Sequence, residues 1–225
     1  MYLYRISIDR DALNRDRRTY ADAYLLHQSM WALVSQYENQ QRDFLYRVEY
    51  DAYQNIEHIY LLAPYRVSPK NNNVRITISP EYKPMLEKKE RLYFKLRANP
   101  VVKRRENGKA REYGLVMDAK WRFRRDGRTY QEERSLDELV HEVCMKWLIK
   151  KGEQHGFSVK QFEVAIDNGR KYSIKSAGKQ EYMLRTQDFS GVLTVADPEL
   201  FIRALYKGIG PAKAFGCGLM LVRRI

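Results

Sequence analysis

Two stretches of the chain hold residue types able to do chemistry. Gly208-Ile209-Gly210-Pro211-Ala212-Lys213-Ala214-Phe215-Gly216-Cys217-Gly218 crowds four glycines and one lysine into eleven residues, just ahead of the apolar run Leu219-Met220-Leu221-Val222. Glycine enters positive φ freely and lets other groups come close to its N–H donors. A loop built this way can wrap an anion, with Lys213 adding a point charge. The GxxxxGK[ST] spacing of a nucleotide P-loop is absent. In a chain of net charge +13 the expected anion is a nucleic-acid phosphate. The other stretch is Tyr24-Leu25-Leu26-His27. Histidine ionises near neutral pH, with an unperturbed pKa of about 6.5, and suits proton transfer in either direction. Three residues apart on a helix, Tyr24 and His27 share a face. On spacing alone His27 reads more readily as a packing or surface residue than as a catalyst.

Other chemistries find little support. The histidines His27, His58, His141 and His155 are scattered and no CxxC pair exists. His141-Glu142 opens an HExxH motif, but Met145 stands where the second histidine belongs. No Ser-His-Asp or Cys-His constellation is readable. Neither a metal nor a cofactor is expected. A helix-turn-helix reader of duplex DNA lacks its pattern. Cys144 and Cys217, distant in sequence, fit reduced thiols rather than a disulfide framework. The start Met1-Tyr2-Leu3-Tyr4-Arg5 has no signal-peptide apolar region, and no apolar run reaches membrane-spanning length. The chain therefore reads as soluble and cytoplasmic.

The elements that must position these residues follow from periodicity. Tyr2–Ile8 alternates as a strand, and Thr19 offers an N-cap for a helix over residues 20–36 that carries His27. Phe44–Tyr50 and Glu57–Leu62 read as strands, Pro84–Lys89 as a short helix and Leu92–Leu96 as a strand, together a β-α-β-β-α-β order. From Ala98 onward, Val101–Tyr113 is a basic ribbon and Lys120–Arg128 a second basic stretch around the turn Asp126-Gly127. Ser135 is placed as the cap of a helix that ends at Gly152. Val159–Ile166 is a strand, and Tyr172–Ile174 with Tyr182–Thr186 flank a polar tip as a hairpin. Val192–Val195 is a further strand. Asp197 as N-cap and Pro198 at the first position open a helix that Gly208 stops. The fold class expected is α+β, in two domains over residues 1–97 and 98–225. Charge is uneven: residues 83–134 hold 17 of the 41 Lys and Arg against 8 acidic residues.

Three motifs resemble a known family. Tyr24-Leu25-Leu26-His27-Gln28-Ser29-Met30-Trp31 is similar to its helix with a tyrosine three residues before a histidine. Leu92-Tyr93-Phe94-Lys95-Leu96-Arg97-Ala98-Asn99-Pro100 matches its LYFRLRANP pattern almost letter for letter. The glycine loop, with Gly191-Val192-Leu193-Thr194-Val195 upstream, is the third. On these the chain resembles the CRISPR-associated endoribonuclease CasE (Cse3) family. One departure is the stretch Met117 to Arg134, longer and more basic than the family pattern.

The resemblance implies two tandem ferredoxin-like (RRM-like) domains and a metal-independent endoribonuclease. It implies binding of a CRISPR repeat hairpin, cleavage of precursor CRISPR RNA at the 3′ base of the stem, and retention of the product within Cascade beside its other subunits. The free chain would be monomeric. Only the resemblance makes His27 catalytic, with Tyr24 beside it to orient the imidazole or bond the phosphate. Whether His27 acts as base, acid or both stays open. Phosphate and groove contacts are assigned to Arg97, Lys103, Arg104, Arg105, Lys109 and Arg111, to Arg170, Lys171, Lys175, Lys179 and Arg185 of the hairpin, and to Gly208, Gly210, Lys213, Gly216 and Gly218. The alternative is a non-catalytic guide-RNA scaffold of the same complex; the presence of both Tyr24 and His27 favours the enzyme.

Overall fold

A computed structural model of the chain describes residues 1–8, 23–34, 43–51, 56–67, 74–106, 108–125, 133–174 and 182–225. They form an α+β fold in two compact units. The first is Met1–Met85, Lys171–Leu184 and Ala204–Met220; the second is Leu86–Arg170, Arg185–Arg203 and Leu221–Ile225. None of the described helices is long and apolar enough to cross a membrane.

The first unit is built on β1 (Tyr2–Ile8), helix α1 (Ala23–Val34), β2 (Leu45–Asp51), β3 (Ile56–Ala63) and β4 (Val74–Glu81). The strands lie in the order β2-β3-β1-β4, each neighbour antiparallel, which is the ferredoxin-like arrangement. Period-two alternation puts Tyr4 opposite Leu61 and Ile6 opposite Ile59, while Leu61 and Ile59 in turn face Tyr46 and Val48. These six side chains form the floor of a core that Leu26, Met30 and Val34, one helical turn apart on α1, cover from above. His27 therefore sits beside the buried stripe of α1, on a helix fixed by that stripe.

The expectation that Leu92–Leu96 closes this sheet fails. The closing strand is β4, and the alternating Val74, Ile76 and Ile78 that should have announced it follow a polar Asn71-Asn72-Asn73 run. The strand β5 (Arg91–Ala98) instead pairs along its whole length with β9 (Tyr182–Val195), in a second sheet whose outer strands are β8 (Phe157–Ile174) and β10 (Met220–Arg224), in the order β10-β5-β9-β8. Its place there puts it on the far side of the 97/98 division. No helix forms over Pro84–Lys89. Lys89 takes a positive φ of 70°, its N–H donates to Val195 O at 2.8 Å, and Val195 N–H donates to Glu90 O at 2.9 Å. Sheet pairing outcompetes a short helix that begins with a proline.

The second sheet repeats the strand order of the first. Strand β5, helix α3 (Glu133–His155), β8 (Phe157–Ile174), β9, helix α4 (Pro198–Lys207) and β10 (Met220–Arg224) run in β-α-β-β-α-β order with the same strand arrangement. Between β5 and α3 stand an antiparallel ribbon, β6 (Val101–Glu106) with β7 (Lys109–Gly114), and a helix α2 (Leu115–Arg125). The basic ribbon lies where its residues place it, and of the second basic stretch Lys120–Arg125 forms the end of helix α2. Helix α3 also begins two residues ahead of Ser135 and passes through Gly152 to His155. A Cβ at Gly152 would lie 2.4 Å from Phe157 O, so the glycine lets the returning strand close against the helix. Gly156, at φ +79°, is the true C-terminal stop. At α4 the expected cap holds, with Leu200 N–H donating to Asp197 Oδ1 at 3.0 Å. The Thr19 cap, the Asp126-Gly127 turn and the hairpin tip Ser176–Lys179 lie outside the described residues.

Candidate functional site

The glycine loop is a sequence of left-handed corners. Gly208 leaves α4 at φ +76° and its N–H still donates to Ala204 O at 2.8 Å, capping the helix. Ile209 N–H then donates to Gly218 O at 2.9 Å, tying the two ends of the loop together. Between them Lys213–Phe215 make one 3₁₀ turn, flanked by left-handed Ala212 (φ 59°) and Gly216 (φ 74°). A Cβ at Gly208 would stand 2.9 Å from both Leu45 methyls and 3.1 Å from Lys213 Cε; one at Gly218 would stand 3.2 Å from Lys213 Cγ. The stem of Lys213 therefore lies across both glycines, half-buried, and only bare backbone leaves room for it. From β2, Tyr46 anchors the turn by donating its phenol to Ala214 O at 2.8 Å.

That turn carries Phe215 to the histidine. The His27 and Phe215 ring centroids are 6.3 Å apart at 58°, and Trp31, one turn further along α1, is 6.5 Å from His27. Residue His27 is half-buried with its Nδ1 shielded from solvent. On its other flank Phe215, with Ala212, packs against Tyr172, Ile174 and Leu184 of β8 and β9. One unit thus brings together a helix near the N-terminus, the long hairpin and the C-terminal glycine loop. Tyr24 stands three residues before His27 on the same helix.

The other histidine described in this unit has a structural role. His58 is 6% exposed; its Nε2 is 2.8 Å from an Arg5 guanidinium nitrogen and its Nδ1 is 3.1 Å from Ser7 Oγ. Arginine only donates, so Nε2 is the acceptor and Nδ1 carries the hydrogen toward Ser7. Among the described residues no three His, Cys, Asp or Glu side chains group to hold a metal ion. Glu142 of the broken HExxH motif pairs with Lys146 one turn on, which holds its carboxyl below the usual range, while Met145 is buried.

The cations separate by environment. Arg97, expected among the phosphate contacts, is 6% exposed and grips its cross-strand partner Asp188 at both ends, Nε to Oδ1 at 2.9 Å and Nη2 to Oδ2 at 2.8 Å. A fork–fork pair this buried belongs to the sheet. Arg97→Ala is expected to destabilise the fold by about 3 kcal/mol by leaving Asp188 without its partner. Its RNA affinity should keep the wild-type salt dependence; a reduced slope in a stable variant would return Arg97 to the phosphate site. Arg104 is half-buried against Asp118. Lys103, 3.4 Å from Glu112 across the ribbon, is exposed, as are Arg105, Lys109 and Arg111. Along the hairpin Tyr172, Ile174 and Leu184 turn inward, while Lys171, Ser173, Met183 and Arg185 are exposed by the same alternation. The Arg170 side chain and all of Lys175 and Lys179 lie outside the described set.

Sequence reasoning missed Tyr46 and Phe215. Nothing marks Tyr46 among alternating strand residues. Phe215 did carry a signal, as the one aromatic in a glycine-rich loop.

A family model described as "CRISPR associated protein" matches residues 1–224. The chain is 31% identical over 228 residues to the CRISPR system Cascade subunit CasE of Escherichia coli strain K12, covering 98% of each. It is 26% identical over 224 residues to the CRISPR-associated endoribonuclease Cse3 of Thermus thermophilus, covering 92% of each. Among solved structures, the crystal structure of Cas6e from Escherichia coli superposes with a TM-score of 0.67 at 25% identity, over all of both chains. A structure of the endoribonuclease Cse3 bound to a 19-nucleotide RNA shares the fold with a TM-score of 0.74, over 99% of this chain and 100% of the other. Both halves of the fold and all three sequence motifs lie inside these matches, and the chain belongs to the CasE (Cse3) family of CRISPR-associated proteins.

Proposed function

We propose that the chain is a metal-independent endoribonuclease that binds a CRISPR repeat hairpin, cuts precursor CRISPR RNA at the 3′ base of the stem, and stays on its product within Cascade. The observation that carries this reading is the half-buried His27 ring set against Phe215 of the glycine loop, which joins a proton-transfer group to an anion-binding backbone in one unit. The names of the CasE and Cse3 relatives support the substrate and the complex.

The chemistry needs few parts. The 2′-oxygen beside the scissile phosphate loses its proton and attacks phosphorus in line; the P–O5′ bond breaks and the 5′-oxygen gains a proton. His27 handles one or both protons, a contribution of roughly 10²- to 10⁴-fold. The bound hairpin fixes the in-line geometry, and the loop with Lys213 holds the phosphate. Tyr24, on the same helix, orients the imidazole or bonds the phosphate. Exposed Lys171 and Arg185 on the hairpin, with Lys103, Arg105, Lys109 and Arg111 on the ribbon, supply phosphate contacts. The chain works in the cytoplasm as a monomer until it joins its complex.

Lys213→Ala tests the phosphate site. It should weaken hairpin binding and lower the slope of log K against log salt by about one unit. An unchanged slope in titrations across salt concentrations would remove Lys213 from the phosphate. The stem of Lys213 also covers two glycines, so Lys213→Met separates the lost charge from lost packing.

A further inference from the structure

Helix α2, which follows the ribbon, belongs to neither four-stranded sheet's set of elements, and none of the contacts proposed for the RNA hairpin falls on it. One face of α2 is fixed: Ala119 and Phe123 are buried and the helix packs on α3. The opposite stripe, at i, i+4 and i+8, is Met117, Trp121 and Arg125. Met117 is 49% exposed and Trp121 57%, with the Arg125 guanidinium 4.9 Å from the Trp121 ring centroid. Large apolar side chains so exposed call for a partner. Charge names its kind. Residues 101–125 hold nine Lys or Arg against three acidic residues, and Asp118 is already engaged by Arg104 and Arg122.

We propose that this α2 face is a stacking platform for unpaired RNA outside the repeat hairpin. Trp121 offers a flat ring to a base, Arg125 a cation and a second plane, and Arg122 and Arg124 on the same helix track the phosphates. An indole among guanidiniums is the combination that holds single strands without reading their sequence. The excess of nine cations over three acidic residues around the ring favours RNA over a protein as its partner. The inference rests on the endoribonuclease reading only for the identity of the RNA.

The test compares wild type, Trp121→Ala and Trp121→Phe on three probes: a short oligouridine, the bare repeat hairpin, and the hairpin with an unpaired extension. Trp121→Ala should weaken oligouridine binding roughly 5- to 100-fold, Trp121→Phe should keep most of it, and only the wild type should show Trp121 fluorescence quenched by the oligomer. The extension should tighten the hairpin for the wild type and not for Trp121→Ala. Bare-hairpin binding and cutting should be equal in all three. Equal oligouridine affinity of wild type and Trp121→Ala overturns the proposal. So does a Trp121→Ala protein that holds every RNA normally but fails to join other Cascade subunits, which would give the face to a protein. If no protein cuts or binds the bare hairpin while oligouridine binding still depends on Trp121, the endoribonuclease reading falls and the platform stands.

Discussion

Replacing His27 with alanine is expected to slow hairpin cleavage by about 10²- to 10⁴-fold while leaving hairpin affinity within a few-fold of wild type. The two halves of that expectation come from different parts of the site. Cleavage needs an imidazole where the 2′-hydroxyl loses its proton or the 5′-oxygen gains one. In the proposed reading binding draws on the exposed cations of the hairpin and ribbon and on Lys213, none of which is substituted. Deleting the ring also removes its contacts with Phe215 and Trp31, a partly buried aromatic pairing worth roughly 1 kcal/mol. Stability of the variant is therefore measured beside its activity, and His27→Gln serves as a control that keeps side-chain bulk but not acid–base chemistry. Parallel loss of binding and cutting in both variants, with normal unfolding temperatures, would recast His27 as an RNA-positioning residue.

The largest effect on stability is expected at Gly191. It lies in β9 between two partners, opposite Phe94 of β5 on one side and beside β8 on the other. Its φ of +150° disfavours any side chain, and a Cβ there would come 2.0 Å from Glu163 O and 2.9 Å from Val164 Cα, both backbone atoms of β8. Neither strand can yield, because β9 is pinned on both edges. Overpacking of this kind costs about 1–3 kcal/mol and the forced dihedral a similar amount. Gly191→Ala should then lower the unfolding temperature by roughly 10 °C, at about 2–4 °C per kcal/mol for a chain of this size. A thermal scan in which the variant unfolds within a degree or two of wild type would contradict the close approach.

Much of this fold was legible because local signals agreed with the tertiary structure. The alternation of Tyr4 and Ile6, the helical stripe of Leu26, Met30 and Val34, and the Asp197-Pro198 start of α4 all appear where their spacing placed them. The failures share a cause in long-range pairing. Nothing in Leu92–Leu96 says which of two sheets it will join; that is decided by β9, ninety residues later in the chain, and β4 was free to close the first sheet instead. Pro84–Lys89 has helical composition, yet its backbone is claimed by Val195. At the site, the types of residue were readable and their meeting was not. The sequence puts His27 and Phe215 far apart, and the structure brings them together where the Tyr46 phenol of β2 holds Ala214 of the loop. Arg97 shows what a basic composition hides: the residue expected at a phosphate has Asp188 directly across the strand pair, and only the pairing of β5 with β9 reveals it.

The central claim is metal-free RNA cleavage dependent on His27, and the most direct measurement is cutting of a CRISPR repeat hairpin in excess EDTA, wild type beside His27→Ala. A single cut at the 3′ base of the stem by the wild type, absent with His27→Ala, is the predicted result. Wild-type protein that binds the hairpin but leaves it intact, or that cuts only when a divalent metal is restored, would contradict it.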